Sequence, residues 1–448
     1  MPDCIVRFGG NNIRNAEVVS TFASLLRQPG KSHLIVVSAT RKIQDMLTSG
    51  ISLLCSSACK PAQVSTAISD ELLQLGKRYG IRKFTATGPF LDRLEVLLRG
   101  IHFTGDFSPA LRDQVISFGE KITASLFCEI LNKQGLEARV YLPEEFGLRV
   151  SEEYGNASIL ENESACNISN SLFQGIALVP GSYGLTYRGK LARLGERASD
   201  YTAAALAALL KAPQLELWQI GKPFKTADDS LVNGTAYIES LTYAEASELS
   251  YFNNSQIHPR IVEPLIPGNI PVAVYELAGG KKILRTRING QSIVSPGVVK
   301  CVAHTDDIAI LRLTGPGVGF KPGILARVTT AFSDRRINIR SVITAQTCIN
   351  ILVDRDSAEP ARQICAGLKL SSVSSTELAE QVSLIAVIGH GMQTSPGISA
   401  RLFDAVARKR INVLISGSGA SDLASYLVVE EKDKRKALQE IHYTFFNP

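Results

Sequence analysis

The strongest constraint on the fold of this 448-residue chain is a repeat in its last third. GPGVGFKPGILARVTTAFSDRRIN, residues 315 to 338, aligns without a gap on GHGMQTSPGISARLFDAVARKRIN, residues 389 to 412, at a constant offset of 74. Gly315, Gly317, Pro322, Gly323, Ile324, Ala326, Arg327, Arg336, Ile337 and Asn338 recur as Gly389, Gly391, Pro396, Gly397, Ile398, Ala400, Arg401, Arg410, Ile411 and Asn412. A gap-free match of glycine, proline and apolar positions means that one small unit is built twice. Each copy begins on a β-rich run (AILRLTG; LIAVIGHG), turns through Pro-Gly into a helix and returns to strands after RIN. The expectation is two βαββαβ units, free to exchange strands with each other.

Glycine before a helix lets backbone N–H groups face outward, where the macrodipole favours a carboxylate. Gly317, Gly323, Gly391 and Gly397 are therefore candidate donors, and Thr344, Gln346, Ser416 and Ser418 on the following strands are candidate partners for an ammonium group. The plainer reading is that these glycines shape turns and the units serve as a dimerisation platform.

The first 285 residues or so alternate short β-rich runs (CIVRF, HLIVVSA, ARVYL, GIALVP, LELWQI, IPVAVYEL) with helical stretches, the pattern of a mostly parallel sheet covered on both faces. All-helical sequence from about 41 to 115 interrupts it. The net charge of +6 is dispersed, which argues against a nucleic-acid surface. Eight scattered cysteines, with no CxxC pair and no histidines at zinc spacing, read as thiols of a reducing compartment and predict no metal site. The longest apolar run, AAALAALL, is too short to span a bilayer, so a cytoplasmic protein away from membranes is expected.

Several segments carry chemistry. IVRFGGNNI is a strand running into Gly9 and Gly10, the outline of a phosphate-cradling loop with Arg7 as its cation and Asn11 and Asn12 as its polar pair. Further on come VVSAT at 36 to 40, SFGEKITASL at 117 to 126, LGERASDYTAAALAALL at 194 to 210, LTYAEASELSYF at 241 to 252 and IHPR at 257 to 260. In this order, and followed by the duplicated unit, they resemble the aspartokinase family across essentially the whole chain. The resemblance implies an amino-acid-kinase-fold domain over 1–285 and two ferredoxin-like ACT domains over 300–375 and 376–448. It also implies transfer of the γ-phosphoryl of Mg-ATP to the β-carboxylate of aspartate.

The resemblance places roles as follows. Arg7 stands for the lysine of the family's K-F-G-G-T-S and Asp200 is the second catalytic position. Ser38, Thr40, Glu120 and Ser199 shape the acceptor pocket, with Glu120 gripping the substrate ammonium. Gly9, Gly10, Asn11, Trp218 and Lys222 lie on the nucleotide side. The departures are equally specific. Where the family reads L-G-R-G-G-S-D, this chain reads Leu194-Gly195-Glu196-Arg197-Ala198-Ser199-Asp200. Glu196 then stands where an arginine meets the substrate carboxylate, turning attraction into repulsion of a few kcal/mol, unless Arg193 or Arg197 takes over. The family's W-T-D-V-D-G appears as WQIGKPF, without its acids. Glu120 has a second reading as an acid in the first turn of its helix. His258 reads as structural.

Three functions stay open on this sequence. One is a divergent enzyme with an altered acceptor, its site lined by Arg7, Glu120, Glu196, Arg197 and Asp200. Another is a non-catalytic amino-acid sensor that dimerises through its ACT units or joins an active aspartokinase in a hetero-oligomer. The last is an ordinary aspartate kinase.

Overall fold

The computed structural model describes all residues except 1, 3, 28, 29, 57, 106, 170, 220–223, 253–256, 292–297, 420, 447 and 448. The chain divides into two units, the first holding most of residues 1–292 and the second the remainder together with 225–236 and 248–255.

The first unit is built on an eight-stranded sheet. Its strands are β1 (Cys4–Phe8), β2 (His33–Val37), β3 (Ala138–Val140), β4 (Ile176–Pro180), β7 (Leu215–Gln219), β8 (Ser240–Thr242), β9 (Val272–Ala278) and β10 (Lys281–Asn289), while β5 (Tyr183–Leu185) and β6 (Leu191–Arg193) form a separate hairpin. The order is β3-β4-β2-β1-β7-β9-β10-β8. Every neighbouring pair is parallel except β9 and β10, which meet through Gly279 and Gly280. Parallel strands need both faces covered, which is why HLIVV and IALVP are buried at every position.

The helix Pro109–Lys133 lies against this sheet and is buried almost all round from Val115 to Leu131, so it shows no clear polar face. Its Phe127 stacks on Phe8 of β1 at 4.5 Å, and Phe22 meets Phe8 at 4.3 Å. Three more helices, Arg41–Cys55, Pro61–Lys77 and Gly88–Thr104, fill the stretch between β2 and this helix, as the loss of alternation there predicts. Among the described residues no helix is long and apolar enough to cross a membrane.

The second unit contains β11 (Cys301–Thr305), β12 (Ala309–Thr314), β13 (Ile339–Thr344), β14 (Cys348–Val353), β15 (Ser375–Ala379), β16 (Val382–Ile388), β17 (Ile415–Gly417) and β18 (Ala424–Glu430). They make two four-stranded sheets, ordered β13-β14-β12-β15 and β11-β16-β18-β17. With helices Ile324–Asp334 and Ala358–Gly367, β12 to β15 form a complete βαββαβ unit. The other sheet has β16 to β18 with helices Ile398–Arg408 and Lys434–Phe446, and takes its fourth strand from β11. One unit is thus inserted into the other.

This corrects the expected boundary at 300. β11 is buried throughout and pairs antiparallel with β16, Cys301 opposite Ile388 and Thr305 opposite Leu384, so the first βαββαβ unit opens at Ala309. A second departure from the 1–285 boundary is the segment 225–236. Its Ala227 and Val232 pack in a core with Val302, Leu402 and Leu438, and the Thr226 carbonyl accepts a 2.8 Å hydrogen bond from the Val302 N–H.

Candidate active site

In a parallel sheet the loops beyond the strand C-terminal ends converge, and Gly9, Gly10, Asn11, Ser38 and Thr40 lie there, after β1 and β2. β1 ends at Phe8 and the chain enters a tight turn at Gly10–Arg14. A Cβ on Gly10 would lie 2.1 Å from the Ser38 carbonyl oxygen, so no other residue fits without moving the loop. The Gly10 N–H donates to Ser38 Oγ at 3.0 Å, and the Arg41 N–H donates to Asn11 Oδ1 at 2.9 Å. Thr40 is fully buried, caps the helix Arg41–Cys55 and donates its own N–H to Thr123 Oγ1 at 3.2 Å. Ser38 and Asn11 therefore fasten the two loops that follow β1 and β2 to each other, and Thr40 ties the second loop to the helix Pro109–Lys133.

Asp200 sits in the first turn of the helix Ser199–Leu209, where the macrodipole favours a carboxylate. Its Oδ1 lies 2.7 Å from Arg7 Nε, and its Oδ2 accepts the His258 N–H at 3.0 Å. The Arg7 contact is an ion pair by distance without hydrogen-bond alignment, since neither Arg7 Nε nor Asp200 Oδ1 has a hydrogen-bond partner. Arg7 also lies close under the loop, its Nη1 3.3 Å from where a Cβ of Gly9 would stand.

The IHPR segment supports Asp200. Arg260 donates its N–H to His258 Nδ1 at 3.2 Å, lays its guanidinium 4.4 Å from the Tyr201 ring centre and bonds the Tyr201 hydroxyl at 3.0 Å. Burial, the largest influence, lowers the His258 pKa, which suits a neutral ring accepting at Nδ1. The structural reading of His258 agrees with this geometry.

Glu120 is not in the first turn of its helix. That helix starts at Pro109 behind a Ser108 cap, which puts Glu120 in its interior and 3% exposed. Burial raises its pKa from an ordinary 4.5 to about 7, against the opposing pull of Arg193 first and then of nearby hydrogen bonds. Arg193, at the end of β6, holds its Nη2 3.8 Å from Glu120 Oε1. The Arg193 backbone N–H is fixed at 2.8 Å by the buried Asp113 carboxylate, which also takes the Gly155 N–H at 2.7 Å.

The loop after Arg193 explains where the substituted motif goes. Gly195 and Arg197 both have positive φ, 110° and 56°, and this double turn leaves Glu196 and Arg197 exposed to solvent. Glu196 is not brought to Glu120 or Arg7. Ser199, next to Asp200, is buried against Gly181, its Oγ without a hydrogen-bond partner. Trp218 is in the core: its indole N–H donates to Glu216 at 2.6 Å, Phe22 meets it edge-on, and Lys282 lies 4.8 Å from its ring centre. Its ring therefore faces protein. Lys222 lies outside the described residues. Among the described residues no group of three or more His, Cys, Asp or Glu could hold a metal ion.

Comparison with known proteins places this geometry. The amino acid kinase family profile matches residues 4–276, from β1 to within two residues of the end of β9. The chain belongs to the amino acid kinase family. Among known proteins it is similar to aspartokinases: aspartokinase 1 (chloroplastic) of Arabidopsis thaliana is 28% identical over 467 residues, covering 99% of this chain and 80% of that protein. Aspartokinase III of E. coli in complex with aspartate and ADP superposes with a TM-score of 0.82 at 22% identity, covering 98% of this chain and 99% of that one. The same enzyme in complex with lysine and aspartate gives 0.79 at 22% identity, over 99% and 100%. An ACT domain profile matches residues 385–445, the second βαββαβ unit.

In both ACT units the glycine loops sit as the repeat foretells. Gly323 and Gly397 precede their helices at φ 87° and 88°, and Gly317 and Gly391 are left-handed too. In the first unit the loop meets the strand turn, with the Gly319 N–H donating to the Gln346 carbonyl at 3.1 Å, and Thr344 and Gln346 are exposed. In the second, Gln393 reaches the Gly419 carbonyl at 2.8 Å, Ser416 is exposed, and Ser418 pairs with Ser425 at 2.5 Å.

Proposed function

We propose that this chain is an ATP-dependent kinase acting on the side-chain carboxylate of an aspartate-like amino acid. The observation that carries this reading is the pairing of two buried acids with two arginines, Asp200 at a helix start with Arg7 of β1, and Glu120 of the long helix with Arg193 of β6. E. coli aspartokinase III, solved with aspartate and ADP, supports the choice of ligands. Gly9 and Gly10 keep the loop backbone bare, so phosphate oxygens can approach it. Arg7 turns from Asp200 to the transferring charge, while Asp200 stays anchored by the His258 N–H. Mg-ATP, when bound, supplies the phosphoryl group, and the ion neutralises its charge. Glu120, in its ionised form, holds the acceptor's ammonium group.

The ACT units then serve as the amino-acid effector sites, each at its glycine loop. Dimerisation through them, or assembly with another aspartokinase, and a cytoplasmic setting belong to the same proposal. A second reading, a sensor without turnover, has one observation in its favour: Arg7 is already engaged by Asp200. Thermal melting with and without millimolar Mg-ATP, followed by ADP release across a panel of amino acids, separates the two. A nucleotide-dependent rise in Tm with aspartate-stimulated ADP release is the expected result. A melting curve indifferent to nucleotide contradicts the kinase reading.

A further inference from the structure

Glu71, on the inserted helix Pro61–Lys77, is 3% exposed and holds two cations at once. Its Oε1 pairs with Arg14 Nη2 and its Oε2 with Lys42 Nζ. A carboxylate is kept buried only when its charge is met, and here each oxygen is met from a different loop. Arg14 ends the glycine turn Gly10–Arg14 that follows β1, and Lys42 is the second residue of the helix Arg41–Cys55 that follows β2. The end of the same inserted helix adds two more bonds to the glycine turn. Arg78 Nη1 donates to the Arg14 carbonyl at 2.6 Å, and the Tyr79 hydroxyl donates to the Ile13 carbonyl. The bonds that join the two loops directly, from the Gly10 N–H to Ser38 Oγ and from the Arg41 N–H to Asn11 Oδ1, are between neutral groups. Glu71 adds two charge-assisted ones, the stronger kind.

We propose that Glu71 is a positioning residue that sets the spacing between the loop after β1 and the loop after β2. In the kinase reading above, on which this inference rests, the first loop meets the nucleotide phosphates and the second shapes the acceptor pocket. Transfer of a phosphoryl group tolerates little error in the gap between donor and acceptor. A carboxylate that grips both loops fixes that gap without touching either substrate. It also offsets the charge of two cations beside the glycine turn. Losing Glu71 should therefore slow transfer without weakening nucleotide binding, whereas losing a side chain that only packs the helix should lower stability and leave turnover alone.

The test uses the full-length protein with Mg-ATP and aspartate, the fold of each variant checked by thermal melting. Glu71→Gln should lower kcat by about 10- to 100-fold, the cost of a misplacement on the order of 1 Å, and leave the KM for ATP equal or lower. Glu71→Asp, which keeps the charge, should recover part of the loss. Lys42→Met changes a side chain that is 50% exposed, so it keeps the fold even where Glu71→Gln does not. It should also lower kcat, and the double variant should fall no further than Glu71→Gln alone, because the same link is removed twice. Glu95→Gln, which breaks only a surface pair with Arg99 within one helix, should match wild type. Hydrogen exchange reads the spacing without turnover: Lys42→Met should speed exchange of the Gly10–Arg14 amides on the other loop. An unchanged kcat in both Glu71→Gln and Lys42→Met overturns the assignment while leaving the kinase reading intact. If the wild type releases no ADP yet Lys42→Met speeds exchange in Gly10–Arg14, the kinase reading fails and the spacing role stands. No ADP release together with unchanged exchange in that turn removes both.

Discussion

Among the residues, a few buried charges and the way each is held set the chemistry of the site. Glu120 carries the clearest consequence. Its pKa in the folded protein, about 7, is above the ordinary 4.5, because burial disfavours the carboxylate more than Arg193 restores it. The folded state therefore binds more protons than the unfolded state between those values, and stability from this group is full below 4.5 and lost as pH rises through 7. Replacing it by glutamine removes that loss. Urea melts of Glu120→Gln and wild type should diverge with rising pH in favour of the variant, by on the order of 3 kcal/mol between acid and mildly alkaline conditions. Parallel pH profiles for the two proteins would show that Glu120 titrates normally. The acid itself was legible in SFGE, but its setting was not. The alternative reading of Glu120 as a first-turn acid starts the helix near Gly119, whereas the Ser108-Pro109 cap starts it earlier and carries Glu120 into the interior.

Among the elements, six strands of the main sheet could be read directly as β-rich runs, β1, β2, β3, β4, β7 and β9, most clearly the fully covered β2 and β4, which are continuous apolar runs. The β5–β6 hairpin, the three-residue β8 and β10 were missed. Their alternation is weak, as in KKILRTRIN, where half-buried positions replace fully buried ones. β11 was missed for a different reason. Its apolar sequence identifies a strand, but its partner β16 lies some eighty residues away across a complete βαββαβ unit, and nothing local specifies that pairing. The exchange makes a prediction. Val302, on β11, is 2% exposed in the core of the second ACT unit, so Val302→Asp should cost that unit a few kcal/mol. Hydrogen exchange should show protection lost in β16 and β18 and kept in β12 and β14. Loss confined to β12 and β14 would mean that β11 belongs to the first unit.

At the scale of the whole molecule, a kinase domain of the amino acid kinase family is followed by paired ACT units, and the order of motifs along the chain revealed that plan. The site was harder to read. Alignment placed Glu196 in the acceptor pocket and implied repulsion of a carboxylate, whereas the left-handed turns at Gly195 and Arg197 leave Glu196 in solvent and Arg193 holds the inward position. A linear motif records which residues occupy a loop, not where the backbone aims them. We propose that this arrangement still makes an acyl phosphate. Incubating the protein with Mg-ATP, aspartate and hydroxylamine, and measuring the hydroxamate formed, tests it most directly. Hydroxamate should depend on both ATP and aspartate and fall at least ~100-fold in Asp200→Asn, which loses the carboxylate that positions the Arg7 guanidinium for the transition-state charge. Nucleotide and aspartate both bound, with no hydroxamate above the Asp200→Asn background, would contradict it.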